Sequence, residues 1–543
     1  MGSVRGQHLR GDWGRTLRNC RIRDRPGLDR IAVGDPVSQS DTSNSSEVPG
    51  GWGPALEDLE QRRADARAMG GEERLAKKHA KGQLNARSRI DYLLDPGSFR
   101  ELGTLVGDVP SDGIVAGAGR IDGRPVMIGA EDFTVLAGSI GPGSSSKRYR
   151  IAELALAERI PLIMLLEGAG HRGGGGGGRA PTDLLIQAKC SGKVPVLSAV
   201  MGPSAGHGAL IVPMSDFSVM TADAAVFTAG PPVVRESLGE DVTKEDLGGP
   251  SVAVPSGLIH NVAPDDETAL DMLRVYLSFF PSSAWGYAPH LPAAESDDQG
   301  ARSTDELLNI IPSDSRRAYD MRAVLDVIVD DGSWFEVQPG FGQSMICGLA
   351  RLGGESVAVI ANQPMVMAGS IDADAADKAA HFIMVADSFH LPLVFLADNP
   401  GMLPGSESER AGVLRSGARM FAAQTQASSP KLHLTLRKAY GFGSMVMTLV
   451  GFDNQSATFA YPGATLGAMG ASAMSRATNA DADEAAMLRD AELQASYRSA
   501  ATLGFDELID PRETRDVLLD ALQRALFRRQ VAAEPVFRTA ITP

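Results

Sequence analysis

Residues 119–170 recur 231 positions further along the chain. GRIDGRPVMIGAEDFTVLAGSI (119–140) lies over ARLGGESVAVIANQPMVMAGSI (350–371), and the alignment runs without a gap through Lys147 and Lys378, then Pro161 and Pro392, to Gly170 and Gly401. Between Arg120 and Gly170, 15 of 51 positions match their partners. A further shift of four residues pairs Pro195 with Pro430, Gly206 with Gly441 and Gly208 with Gly443. Unrelated apolar segments do not keep register over such a span, so the chain carries two copies of one folding unit. Its 543 residues suit two copies, because a single core rarely grows past about 250–300 residues.

Within each copy, short apolar runs end in glycine clusters and alternate with helix-compatible stretches such as KRYRIAELALAER (147–159). That alternation predicts an α/β fold built from β/α units. PSSAWGYAPHLPAAESDDQGARSTD (281–305) is rich in Pro, Ser and charge and reads as a linker. The expected division is a disordered tail over 1–53, a first domain over 54–285, a linker over 286–310 and a second domain over 311–543. The first domain opens with a solvated helical arm over 54–90, whose segment EDLEQRRADARAMGGEERLAKKHAKG (57–82) mixes both signs of charge.

Charge and cysteine usage narrow the partners. The chain carries −15 overall; eight Arg against three Asp make residues 1–30 +5, which leaves −20 on the rest. An acidic body of this kind does not attract nucleic acid or anionic lipid. No apolar run reaches the ~20 residues that span a bilayer, the best being IPLIMLL (160–166) and LPLVFLA (391–397). Cys20, Cys190 and Cys347 lie too far apart for a zinc ribbon and are odd in number, which points to a reducing cytoplasm. The Arg-rich start offers the alternative of a transit peptide to the mitochondrial matrix, against which Asp12 and Asp24 speak. The nine His show no metal-ligand spacing, so no metal is expected.

Chemistry is expected at four junctions where an apolar strand runs into glycine: IPLIMLLEGAG (160–170) and VPVLSAVMGPSAGHG (194–208) in the first copy, LPLVFLADNPG (391–401) and PKLHLTLRKAYGFG (430–443) in the second. Glycine lets the backbone approach a ligand, and free N–H groups there stabilise an oxyanion or enolate. A rival reading takes Gly202-Pro203-Ser204-Ala205-Gly206 as the nucleophile elbow of a serine hydrolase, with Asp216 and His260 downstream. The second copy places Ala439 opposite Ser204 while keeping the glycines, which favours the glycines over the hydroxyl. HRGGGGGGRA (171–180) is similar to the phosphate loop of ATP-grasp enzymes but lacks the nearby Lys, and reads as a flexible loop.

Ordered blocks then carry a family resemblance: KGQLNARSRIDYLLDPGSF (81–99), DFTVLAGS (132–139), TAGPPVVRESLGEDVTKEDLGG (228–249), NQPMVMAGSID (362–372), DNPGMLPGS (398–406), RKAYGFGS (437–444) and YPGATLGAMGA (461–471). The chain resembles the carboxyltransferase β subunits of biotin-dependent acyl-CoA carboxylases of the propionyl-CoA and acetyl-CoA type, across nearly all of residues 80–520. The resemblance implies two tandem crotonase-like domains, each a ββα spiral, the first for acyl-CoA and the second for carboxybiotin. It also implies an α subunit carrying biotin carboxylase and the biotinyl carrier, and a homo-oligomer, a hexamer in many members. No lysine of this chain neighbours a Met, so the biotin sits on the partner. By resemblance, the N–H groups of Ala169 and Gly170 hold the acyl-CoA enolate oxygen and those of Phe442 and Gly443 the biotin ureido oxygen. Gly206, Gly208 and Gly441 shape the two pockets, and Lys147 and Arg150 are candidates for CoA phosphates. Carboxybiotin is expected to serve in place of a side-chain general base. Where the family commonly has Ser-Gly-Gly-Ala-Arg and Tyr-Gly-Gly-Ala-Tyr, this chain has Gly168-Ala169-Gly170-His171-Arg172 and Tyr440-Gly441-Phe442-Gly443-Ser444, so the pockets are reshaped. Met445, long and adaptable, implies tolerance of several short to medium acyl chains. A biotin-dependent acyl-CoA decarboxylase subunit and a catalytically inactive assembly subunit stand beside the hydrolase as alternatives.

Overall fold

The apolar runs of the two copies become two eight-stranded sheets that repeat each other strand for strand. The computed structural model describes residues 49–173, 182–291, 300–449, 451–529, 533–536 and 541. The expected tail up to residue 48, the glycine run over 174–181 and residues 292–299 of the expected linker lie outside these. The first sheet holds β1 (Arg100–Leu102), β2 (Ile114–Ile121), β3 (Arg124–Glu131), β4 (Leu162–Gly168), β5 (Val196–Ala205), β6 (Phe217–Thr221), β7 (Ala225–Phe227) and β8 (Asn261–Ala263). The second holds β9 (Phe335–Val337), β10 (Met345–Leu352), β11 (Glu355–Asn362), β12 (Leu393–Asn399), β13 (Lys431–Tyr440), β14 (Gln455–Ala460), β15 (Thr465–Gly467) and β16 (Glu507–Leu508). Spatial order is β1-β2-β3-β4-β5-β6-β8 with β7 on β5, and β9-β10-β11-β12-β13-β14-β16 with β15 on β13. In each, an antiparallel meander of three strands leads into parallel pairing. This is the crotonase-like arrangement, twice.

β4 and β12 are buried along their whole length, as strands covered on both faces must be, and both therefore read as unbroken apolar runs. The helices that cover them correspond as well: α4 (Pro142–Glu158) in the first copy and α7 (Ala373–Ser388) in the second. Between the copies runs one continuous core. Phe217 meets Phe335 with ring centroids 5.5 Å apart, and Phe280 meets Phe389 at 5.4 Å. Asn261 on β8 bonds the backbone of Glu336 and Gln338 around β9, tying the two sheet edges together. Near its C-terminal end the chain returns to the first copy, where the Ile541 N–H donates to Ser191 Oγ.

Three helices precede the first sheet: α1 (Gly53–Arg67), α2 (Glu72–His79) and α3 (Ala86–Leu93). α1 is exposed and laced with ion pairs three and four residues apart, as its charge pattern predicts. α2 and α3 depart from a solvated arm, because Lys78 and Arg89 turn inward and are buried. The described residues of the expected linker also dock. Thr304 Oγ1 donates to Pro511 O, and Arg515 on α9 (Thr514–Leu526) donates to Gly300 O.

Candidate functional site

Each copy brings its two glycine junctions together. β4 ends beside β5 with Gly168 in register with Ser204, and β12 ends beside β13 with Asn399 in register with Ala439. The turn after each strand is pinned by the same bonds. The Ile140 N–H donates to Gly170 O and the Arg172 N–H to Ile140 O; the Ile371 N–H donates to Gly401 O and the Leu403 N–H to Ile371 O. Gly170 sits at φ +81°, with space for no more than hydrogen: a Cβ there would lie 2.9 Å from Ala205 O. Its mate Gly401 sits at φ +119° below Tyr440 O. Across the second pair, a Cβ on Gly443 would lie 2.5 Å from Asn399 Oδ1 and 2.7 Å from the Gly401 Cα. The first and second junctions of each copy therefore meet backbone to backbone, with the Asn399 side chain wedged beside Gly443 in the second.

The donors are placed accordingly. Among the described residues, the N–H groups of Gly170, His171 and His207 meet no acceptor. Phe442 and Gly443 lie in the first turn of α8 (Gly441–Val446), where N–H groups have no intrahelical partner. Ala169 differs from the expectation, since its N–H donates to Ala137 O at 2.9 Å and is committed to the protein. The register mate of Ala169 is Pro400, which has no N–H at all. Gly206 and Gly441 adopt matching left-handed φ of +57° and +53°, and the Gly206 N–H donates to Phe227 O. Gly208 is buried over the Glu131 carboxylate. Met445 lies on α8, 38% exposed.

The two candidates for CoA phosphates do other work. Lys147 is buried and its Nζ donates to Ser111 O and Ile114 O; Lys378, its mate, donates to Phe341 O and Met345 O. Both lysines pin the covering helix to the loop before the second strand of their sheet. Burial pushes the Lys147 ammonium down to about 8. Arg150 is exposed and paired with Glu153 on the outer face of α4. Lys147→Met should therefore cost about 1–3 kcal/mol of stability, through two carbonyls left without a donor, and should leave the KM for the CoA substrate within about twofold. A large rise in KM with stability unchanged would return Lys147 to the phosphates.

The hydrolase constellation is not assembled. Ser204 is fully buried within β5 and its Oγ has no hydrogen-bond partner. His260 accepts from the Ser218 N–H through Nδ1 and stacks on Phe217, with burial pushing it down to about 3. Asp216 accepts from the Val196 N–H, and burial raises it to about 7. None of the three bonds another.

A buried chain of charges under the first pair of junctions was missed at the sequence level. Asp266, on α6 (Asp266–Ser278), accepts from Arg89 Nε at 2.9 Å. Arg89 Nη1 and Lys78 Nζ both donate to Glu167 at 2.6 Å, and the Glu167 N–H donates to Glu131 Oε2 at 2.9 Å. Arg148 then bridges Glu131 and Asp183, each at 2.7 Å, and Asp183, on α5 (Asp183–Cys190), meets His207 Nε2 at 2.5 Å. Four carboxylates face three fixed cations, and His207 is the next group in line. The signal was present in the repeat: Glu131, Arg148 and His207 stand opposite Asn362, Ala379 and Phe442, so these three groups belong to the first copy, whereas Glu167 stands opposite Asp398, itself buried and paired with Arg437. Among the described residues, no group of three or more His, Cys, Asp or Glu is placed to hold a metal, and no helix is long and apolar enough to cross a membrane.

Comparison with known proteins identifies the family. A family model described as carboxyl transferase domain matches residues 77–538. The methylmalonyl-CoA carboxyltransferase 12S subunit of Propionibacterium freudenreichii subsp. shermanii is 37% identical over 506 residues, covering 88% of this chain and 95% of its own. The propionyl-CoA carboxylase beta chain of Saccharopolyspora erythraea is 36% identical, covering 88% and 93%. Among solved structures, the transcarboxylase 12S hexamer with methylmalonyl-CoA and methylmalonic acid bound superposes with a TM-score of 0.82 at 36% identity, over 90% of this chain and 99% of that one.

Proposed function

The chain belongs to the carboxyltransferase family of biotin-dependent acyl-CoA carboxylases, and from that membership we propose that its first copy binds the acyl-CoA and its second the carboxybiotin. It is an enzyme, moving a carboxyl group between biotin and the α-carbon of an acyl-CoA. The observation that carries the division is the duplicated meeting of glycine junctions, because this reaction builds negative charge on two oxygens and each copy offers one backbone pocket.

In the first copy, Gly170 and His207 supply one N–H from each junction to the thioester oxygen as it becomes an enolate. Such donors contribute roughly 3–4 kcal/mol each when preorganised. Gly170 must be glycine here, since its φ and its contact with Ala205 O leave no space for a side chain. In the second copy, the N–H groups of Phe442 and Gly443 take the ureido oxygen. The residues fit a flat ring with an oxygen at its edge: Gly401, Gly441 and Gly443 keep side chains out of the junction, and the first turn of α8 leaves its donors free. Carboxybiotin supplies the carboxyl group when it is bound there. Met445, part-exposed on the same short helix, is read as a wall of the acyl pocket that tolerates several short chains.

The biotin is read as arriving on an α subunit with biotin carboxylase and carrier domains. A hexamer like that of the 12S relative would place a first copy of one chain against a second copy of another. The cytoplasm is the compartment proposed for this assembly. Purified alone, the chain should fix no bicarbonate with ATP, and adding a matched biotinylated α subunit should give carboxylated acyl-CoA. ATP-dependent fixation by the isolated chain would overturn this division of labour.

A further inference from the structure

A cavity of about 240 Å³ opens on the seam between the two copies. The first copy contributes the turn between β2 and β3, with Ile121 and Arg124, and the end of α6, with Arg274 and Leu277. The second contributes Arg351 on β10, and residues 289–291 of the connecting segment complete the wall. The cavity lies at the far end of the sheets from the glycine junctions. β3 begins here at Arg124 and ends at Glu131, under the first junctions, which sets the two roughly 20 Å apart. β11 likewise runs from Glu355 to Asn362, which accepts from the Asp398 N–H beside the second junctions.

The chain carries −15 overall, yet three guanidiniums line this cavity, with Asp122 the one lining carboxylate among the described residues. Asp122 is already engaged, accepting from Arg274 Nη1 at 2.5 Å. Arg351 is 8% exposed and donates to the carbonyls of Ser278, Pro289 and Gly354. Arg124 Nη1 donates to Leu277 O and Phe280 O. Among the described residues its Nε and Nη2 meet no acceptor, and it forms no ion pair. Burial, with the charge of Arg351 beside it, lowers the Arg124 guanidinium below its ordinary value, and Asp122 offsets part of this. Like charges gathered away from water are costly until an anion joins them.

The repeat supplies a control. At the offset of 231, Arg124 stands opposite Glu355. Glu355 is satisfied within the chain, by His290 at 3.1 Å and Arg529 at 3.6 Å. The first copy puts a cation with an open edge at the same place in its turn. Size and lining then narrow the occupant. A cavity of about 150 Å³ holds benzene, and sites for drug-sized ligands begin at about 300 Å³, so a short stem fits here and a nucleotide does not. Ile121, Leu277 and Leu291 offer that stem an apolar surface. The paired N–H groups on one edge of a guanidinium match a planar carboxylate, oxygen for oxygen.

We propose that this cavity binds a short-chain carboxylate at a site separate from those for acyl-CoA and carboxybiotin. The carboxylate pairs with Arg124 beside Arg351, and the aliphatic stem lies on Ile121, Leu277 and Leu291. Because both copies supply its walls, the occupant joins them and stabilises the fold by mass action.

The experiment titrates sodium hexanoate into the full chain by calorimetry, with propionyl-CoA saturating and ionic strength fixed by NaCl. One hexanoate should bind per chain. Hexanol, which has the stem without the charge, should give no binding at the same concentrations, and inorganic phosphate should bind at least tenfold more weakly. Arg124→Gln should weaken hexanoate by about tenfold or more, as loss of a charged hydrogen-bond donor does. Asp122→Asn should tighten it by about two- to fivefold, since Arg274 is then released from an exposed pair. Asn accepts the φ of +50° at that position, so this variant keeps the turn and decides the matter even where Arg124→Gln fails to fold. Absence of hexanoate binding, equal affinity in folded Arg124→Gln, or affinity unchanged or weakened in Asp122→Asn would overturn the site. Binding seen only without propionyl-CoA would place the carboxylate at the glycine junctions instead, and phosphate binding as tightly as hexanoate would overturn the carboxylate as its ligand.

Discussion

Gly170→Ala is expected to lower carboxyl transfer by about 10²-fold while the chain still folds, because a 1 Å displacement of positioning groups costs about that much. The added methyl meets two separate obstacles. At φ +81° an L side chain is strained, by roughly 1–2 kcal/mol. The Cβ would also lie 2.9 Å from Ala205 O and 3.4 Å from the Ala205 carbonyl carbon, both buried backbone that does not yield as a flexible side chain would. The junctions must move apart, and the Gly170 and His207 donors then no longer converge on one oxygen. Gly401→Ala tests the second copy through backbone strain alone, at φ +119°, since its Cβ would make an ordinary contact 3.5 Å from Tyr440 O. Both variants should lose transfer from a carboxylated partner, measured with a labelled carboxyl group. Gly300→Ala, with no atom within 4 Å and an ordinary φ, is the control expected to change nothing. Transfer within threefold of the native rate in Gly170→Ala would mean that this junction does not hold the reacting oxygen.

The repeat in the sequence was enough to align the two sheets before any coordinate. β2, β3 and β4 lie at an offset of 231 from β10, β11 and β12, and β5 lies at 235 from β13, as the shift of four residues requires. What stayed hidden was which groups face each other. Ala169 and Gly170 are neighbours in sequence, which suggests a pair, yet strand pairing turns the Ala169 N–H onto Ala137 O and brings Gly170 against the second junction. Pro400, opposite Ala169, carried the hint. Lys147 and Lys378 keep register for a structural reason, since a lysine stem can run through a core and deliver its ammonium to loop carbonyls. The helical arm misleads in the opposite direction: balanced charges resemble a solvated face, but Lys78 and Arg89 meet their partners 89 and 78 residues away at Glu167. No local pattern reports a contact at that separation.

That long-range contact sets the largest stability effect expected in this chain. Arg89 is fully buried and makes three bonds at once, from Nε to Asp266, from Nη1 to Glu167 and from Nη2 to Met201 O at 2.8 Å. Arg89→Met keeps much of the volume but removes the shared cation. Glu167 retains Lys78, whereas Asp266 is left with the Leu84 N–H alone among these partners. Breaking a buried pair from one side typically costs about 3–5 kcal/mol, since the remaining charge stays desolvated. Unfolding in urea at a fixed chain concentration should show a loss of that size. Adding Asp266→Asn should recover part of it, because the stranded charge is then gone. The pH dependence has a definite sign. Burial already raises the Asp266 carboxyl above its ordinary value, and without Arg89 it must rise further. A carboxyl with a folded pKa above its unfolded one binds more protons in the folded state between the two. Its protonation supports the fold at low pH, and that support is lost as pH rises through the folded value. The deficit of Arg89→Met should therefore shrink as pH is lowered from neutrality through the carboxylate range. A deficit independent of pH would mean that water reaches Asp266 once the guanidinium is gone, and that the charges under the first junctions are not held dry.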